Sequence, residues 1–127
     1  MDYKTEGLNE LSKQINEFVC NIGFENGDVP LRISLIHSEV SEAFEAFRKD
    51  KYAELDKFKS AIKDVNDDTY KDIFHLYMKD TFEDEIADSI IRLLDLCSRN
   101  NIDIEEHIKH KMYYNSLRGY KFGNKKF

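Results

Sequence analysis

The 127-residue chain contains little that would break or staple it: one proline, five glycines and two cysteines. So few breakers leave room for long uninterrupted helices. Cys20 and Cys97 fall in no metal-binding spacing and no disulfide framework, so both read as unreactive thiols, Cys97 on an apolar helix stripe and Cys20 off one. No apolar run approaches the roughly 20 residues of a membrane span. The opening MDYKTEGLNE also lacks the basic-then-apolar layout of a secretory signal. The expected setting is the cytoplasm, with no membrane partner. A basic excess is missing too. Nineteen Lys and Arg stand against 25 Asp and Glu, a formal charge of −6, which disfavours a nucleic-acid polymer as partner. That balance still admits a phosphorylated small molecule held through metal ions.

What the chain does have is apolar bulk. A hydrophobic share of 41% with nine Phe and seven Tyr argues against disorder and for one domain over residues 1–127, large enough to bury a core. Leu8, Leu11, Ile15, Phe18, Val19 and Ile22 recur at helical spacing, placing a first helix at about 5–22. GFENGDVP breaks it, and Pro30 suits the first turn of a second helix. That helix carries LRISLIHSEVSEAFEAF over 31–47 and ends near 49–51. Its apolar stripe is Ile36, Val40, Ala43, Phe44 and Phe47, expected to face the core. Leu31 and Leu35 fall on another face, shared with Glu39 and Glu42. Residues 51–80 read as an inserted helical hairpin turning at NDD, 66–68. Thr81 is a candidate cap for a helix whose stripe is Phe82, Ile86, Ile90, Leu93, Leu96 and Cys97. Glu85 and Asp88 lie on its opposite flank with Arg92, Asp95 and Arg99. Asp103 and Glu106 resemble a capping box opening the last long helix. The basic tail, 119–127, is expected to be irregular. Strand-like alternation of useful length is absent, so the expected fold is all-α: an antiparallel bundle of four core helices plus the inserted hairpin.

Chemistry concentrates in two places. Glu39/Glu42 and Glu85/Asp88 are both spaced i, i+3, so the carboxylates of each pair point the same way. Either pair alone is weak, since 25 acids produce about five such pairs by chance. Two such helices packed antiparallel would converge four hard oxygen donors, a set suited to Mg²⁺ or Mn²⁺. A plain i, i+4 ion pair with Arg92 is the competing reading of Asp88, and Glu45 reads as a solvated continuation of the Glu39/Glu42 spacing. On the last helix the stripe begun by Ile104 and Ile108 continues through Lys111, Asn115 and Arg118. Long cationic stems lying along apolar surface would deliver positive charge to phosphates or acids. Tyr113 and Tyr114 offer faces for a base or for packing. No histidine follows a Glu by three, which speaks against a di-iron bundle; His107 and His110 read as surface residues.

SEVSEAFEAFRK, then FEDEIADSIIRLLDL, then IEEHIKHKMYYNSLRGYKFGNKKF together resemble a MazG-like protein of the all-α nucleoside triphosphate pyrophosphohydrolase superfamily. The likeness spans about 31–50 and 82–127. It implies Mg²⁺ bound by Glu39, Glu42, Glu85 and Asp88, with Lys111, Asn115 and Arg118 corresponding to the substrate-binding residues of the last block. It also implies a homodimer or homotetramer with sites at or near subunit contacts. Many relatives carry a second Glu just before the first motif Glu, where this chain has Ser38. The 42 residues between Glu42 and Glu85 exceed the spacing of compact members, which implies an extra lid or a different oligomer contact. The expected activity is Mg²⁺-dependent cleavage of a nucleoside triphosphate between the α and β phosphates. Its rivals are a related enzyme specific for dUTP, dCTP or phosphoribosyl-ATP, and a non-catalytic helical interaction module.

Overall fold

The computed structural model describes residues 3–127, and every regular element among them is helical. The order is α1 (Leu8–Asn21), α2 (Val29–Arg48), α3 (Leu55–Ala61), α4 (Asp67–Tyr77), α5 (Phe82–Arg99), α6 (Ile104–Ser116) and α7 (Lys121–Asn124). The expectation of an all-α chain holds. α7 is a short turn whose backbone leaves the helical region at Phe122 and Gly123, in keeping with an irregular tail.

Short polar side chains start the helices by accepting from orphan backbone N–H groups. Asp28 accepts from the Leu31 amide at 2.9 Å and Asn66 from the Thr69 amide at 2.8 Å. Thr81 accepts from the Asp84 amide at 3.3 Å, and Asp103 from the Glu106 amide at 3.2 Å. Asn66 is therefore a cap, and Asp67 and Asp68 belong to the first turn of α4 rather than to a loop. Just beyond the ends of α2, α3, α4 and α5, Asp50, Asp64, Asp80 and Asn101 take left-handed φ values of 54°, 55°, 61° and 53°. The chain then folds back on itself: the Lys51 amide reaches the Ala46 carbonyl at 2.9 Å, and the Ile102 amide the Cys97 carbonyl at 2.9 Å. Such bonds satisfy carbonyls that a helix end leaves open.

The contacts resolve two compact units. One comprises the described residues through Asn26 with Leu94–Phe127. Polar contacts hold it together as much as apolar ones. Ser12 is buried and donates to the Leu94 carbonyl. Asn16 donates to Asp95 at 3.0 Å, and Arg99 pairs with Asp95 at 2.8 Å while capping the Phe24 and Glu25 carbonyls. Asn9 donates to Asp103 at 2.8 Å and to Glu105 at 3.2 Å. Leu94 and Cys97 supply its buried apolar side chains.

The other unit is Gly27–Leu93. Within it the hairpin α3–α4 has its own small cluster: Phe58 is buried edge-on against Tyr70 and Phe74, with ring centroids 5.5 and 5.9 Å apart. Segment 50–54 is tied to both neighbours. The Phe82 amide donates to the Lys51 carbonyl at 2.8 Å, the Glu54 amide to the Tyr77 carbonyl at 3.0 Å, and the Ala53 amide to the Glu83 carboxylate.

The helices α2 and α5 bury only part of the faces their hydrophobic stripes predict. On α2, Ile36, Ala43 and Ala46 are buried, but Val40, Phe44 (62% exposed) and Phe47 face outward. On α5, Glu85, Ser89, Asp95, Leu94 and Cys97 are buried while Ile86, Ile90 (50% exposed) and Leu93 are open. Both helices are turned toward their carboxylates, and small residues (Ala43, Ala46, Ser89) let the backbones carry those carboxylates inward. The larger apolar side chains are left on the outside of the single chain.

Candidate metal centre

The four acids anticipated from sequence lie in one unit, on α2 and α5. Donor oxygens of Glu39, Glu85 and Asp88 come within 4.8 Å of one another. Glu85 is only 5% exposed, Glu39 and Asp88 are half-buried, and Glu42 stands at the exposed rim. Glu42 is outside the tight triad, yet its carboxyl reaches both Glu39 and Glu85. A cation bridges the two helices: Arg92 Nε donates to Glu39 Oε1 at 2.9 Å. The competing reading of Asp88, an ion pair with Arg92, gives way to a pair between Arg92 and the neighbouring helix.

The electrostatics follow from crowding. Burial pushes the Glu85 carboxyl up to about 8, helped by hydrogen bonds to Glu39 and Glu42 and by their negative charges. Burial also raises Asp88, with the charges of Asp84 and Glu39 adding to it against the pull of Arg92. Glu39 goes the other way. Burial opposes its ionisation, but hydrogen bonds from Arg92, Glu85 and Glu42 outweigh that and hold it below the ordinary range. Three carboxylates so close share a proton when no cation is bound. With all of them ionised, Glu85 Oε2 is buried and has no donor within reach. Such an atom is costly unless a proton or a cation satisfies it.

A divalent cation fits these residues. Octahedral Mg²⁺ holds oxygens at about 2.1 Å, so its ligands lie roughly 3 to 4.2 Å apart, inside the 4.8 Å spread of the triad. The donors are all hard oxygens, with no thiolate or imidazole among them. A second acidic triad shares Glu85: Asp80, Asp84 and Glu85 also bring donor oxygens within 4.8 Å. Sequence reasoning passed over Asp80 and Asp84, because at the start of a helix, in so acidic a chain, they look like ordinary first-turn residues. The Asp84 carboxylate does accept from the Asp80 amide at 2.9 Å. Glu45 takes the solvated role expected of it, pairing with Arg48 at 3.3 Å and Lys49 at 3.4 Å. His110 is likewise at the surface, 2.9 Å from Glu106.

The three residues anticipated on the last helix lie on α6, in the other unit. Lys111 is exposed and sits 5.2 Å from the Tyr114 ring. Arg118 lies over two rings, 5.8 Å from Tyr114 and 4.3 Å from Phe122. Asn115 is half-buried, and its Oδ1 has no hydrogen-bond partner. The stripe therefore keeps two cations on aromatic faces and one open acceptor. Both cysteines are free, and burial pushes the Cys97 thiol up, in keeping with an inert core residue. No helix of the described residues is long and apolar enough to cross a membrane.

Comparison with protein-family models, with curated proteins and with solved structures finds no match to this chain.

Proposed function

We propose that the chain is a Mg²⁺-dependent nucleoside triphosphate pyrophosphohydrolase, releasing a nucleoside monophosphate and pyrophosphate. The observation that carries this reading is the Glu39–Glu85–Asp88 triad, in which the buried Glu85 Oε2 has no hydrogen-bond partner. The resemblance of the three sequence blocks to MazG-like proteins supplies the substrate class.

Glu39, Glu85 and Asp88 hold the metal, with Glu42 completing the set from the rim. A Mg²⁺ ion held by these residues would supply charge neutralisation for phosphate oxygens and acidify water. Arg92 keeps Glu39 ionised and oriented through their 2.9 Å contact. A carboxylate oxygen of the set that the cation leaves unengaged, most accessible on the exposed Glu42, would accept the proton of the attacking water. Lys111 and Arg118 neutralise phosphate oxygens, and Asn115 donates to the sugar or a phosphate. Mn²⁺ is chemically equivalent at an all-oxygen site.

The active form is a homodimer or homotetramer. Val40, Phe44, Phe47, Ile86, Ile90 and Leu93 are each 41–62% exposed, leaving roughly 100 Å² per side chain and about 600 Å² in sum, most of the area one partner contributes to a standard interface. A second copy of this chain covers it.

A panel of nucleoside triphosphates, with dUTP, dCTP and phosphoribosyl-ATP included, read by pyrophosphate release with Mg²⁺ and Mn²⁺, tests the reading. Glu42→Ala and Asp88→Ala should each lose about a hundredfold or more in turnover while remaining helical. Full Mg²⁺-dependent activity in Glu42→Ala refutes the site. No release from any nucleotide, together with no Mg²⁺-dependent rise in melting temperature, favours the non-catalytic helical module instead.

A further inference from the structure

We infer that the cleft built by the inserted hairpin receives the nucleoside end of the substrate, an inference that rests on the pyrophosphohydrolase reading. The cleft encloses about 520 Å³ where segment 50–54 meets the end of α4 and the start of α5. That volume suits a small-molecule site, which typically spans about 300–1,000 Å³. Its walls are preformed, because the Lys51 carbonyl, the Glu54 amide and the Ala53 amide are tied to Phe82, Tyr77 and Glu83 respectively. Preformed walls avoid the ordering cost that a loose loop would add on binding.

The cleft is contiguous with the metal donors through a single residue. Asp80 belongs to the cleft wall and to the triad with Asp84 and Glu85. Glu85 in turn belongs to the triad with Glu39 and Asp88. A nucleotide whose phosphates meet a cation held at Glu85 therefore has its remaining half on the side of the cleft.

Charge decides which half enters. Three acids, Asp50, Glu54 and Asp80, line the cleft against two lysines, Lys51 and Lys79. No positive surplus is there to draw in a polyphosphate. Instead the carboxylates accept from sugar hydroxyls and base amino groups, and the ammonium groups donate to base carbonyls. Tyr52 and Tyr77 also line it, offering faces on which a heterocycle stacks. The Tyr52 ring is fixed edge-on against Phe82, 6.2 Å between centroids. Residues 51–80 thereby gain a role that no metal ligand explains.

The test uses the full chain with Mg²⁺ and the nucleoside triphosphate it cleaves best. Two variants change the cleft without touching a carboxylate: His75→Trp, which narrows it from an exposed wall position, and Tyr52→Ala, which removes a stacking face. Each should raise KM at least tenfold with a smaller loss in kcat. Inhibition by inorganic tripolyphosphate, which has phosphates and no nucleoside, should stay within about twofold of the parent. Circular dichroism and melting identify a variant that has not folded, and the other then decides. An unchanged KM in folded variants overturns the inference while leaving the activity standing. So does a parallel weakening of tripolyphosphate inhibition, which would assign the cleft to phosphates. If the parent chain releases no pyrophosphate at all, the functional reading itself falls and takes the cleft with it.

Discussion

Replacing Glu85 with glutamine isolates the proton held at the acidic centre. The ordinary value for this carboxyl is 4.5, and in the folded chain it is pushed up to about 8. Between those two values the folded state keeps a proton that the unfolded state has lost, so stability falls as pH rises. The stabilisation is complete below about pH 4.5 and gone once pH passes about 8. At 1.36 kcal/mol per pH unit the ceiling is roughly 5 kcal/mol. Glu39, held low by Arg92 at 2.9 Å, is ionised in both states above about pH 5 and so leaves this range unchanged. A loss of about 3 kcal/mol is the expected difference between pH 5 and pH 8. A glutamine at this position would keep the shape and carry no charge. In chelator, denaturant melts from pH 5 to 9 should therefore show the parent losing stability relative to Glu85→Gln, which should be nearly flat by comparison. Saturating Mg²⁺ should restore the parent at pH 8 and do little for the variant, since the cation replaces the proton. Parallel pH curves for the two proteins would refute the assignment of that proton to Glu85.

Two further outcomes follow from other parts of the fold. If the chain worked alone, Phe44→Glu and Ile90→Glu would alter exposed positions and shift stability by no more than about 0.5 kcal/mol. Covered by a second copy, each should instead lower the sedimenting mass to that of one chain and lower the melting temperature. Arg118→Ala should raise KM for a nucleoside triphosphate roughly ten- to a hundredfold. Arg118→Lys should restore little, because the guanidinium sits over the Phe122 ring at 4.3 Å and an ammonium lacks the planar face that stacks there; full rescue by lysine would reduce Arg118 to a generic charge.

Much of the helix inventory was legible because it is local. Thr81 and Asp103 announce helix starts through short side chains that reach an amide three residues on, and each does so in the fold, whereas Asn66, read as a turn, proves to be a cap of the same kind. The convergence of Glu39, Glu85 and Asp88 was also legible, since i, i+3 spacing fixes which carboxylates share a face. What misled was the stripe rule. Hydrophobic periodicity reports which face is greasy, not which neighbour covers it. On α2 and α5 the greasy faces carrying Phe44 and Ile90 are open in the single chain, while the faces carrying Glu39 and Glu85 turn inward. The true partner of Arg92 was hidden for a related reason: a contact on another helix leaves no trace in local spacing. The cleft beside Asp80 was beyond reach altogether, being made by two backbone ties and one to the Glu83 side chain, between segments up to 31 residues apart.

Four helices in this chain stop on an aspartate or asparagine with left-handed backbone, where glycine would stand without the crowding of a β-carbon. Three of these residues also set a negative charge at the negative end of a helix dipole. Each such brake forgoes up to roughly 1 kcal/mol relative to glycine. At Asp80 the tension has a use, because the same side chain faces Asp84 and Glu85. Asp64 lies outside both acidic triads, and its helix end is where the fold has slack to be taken up without disturbing the chemistry.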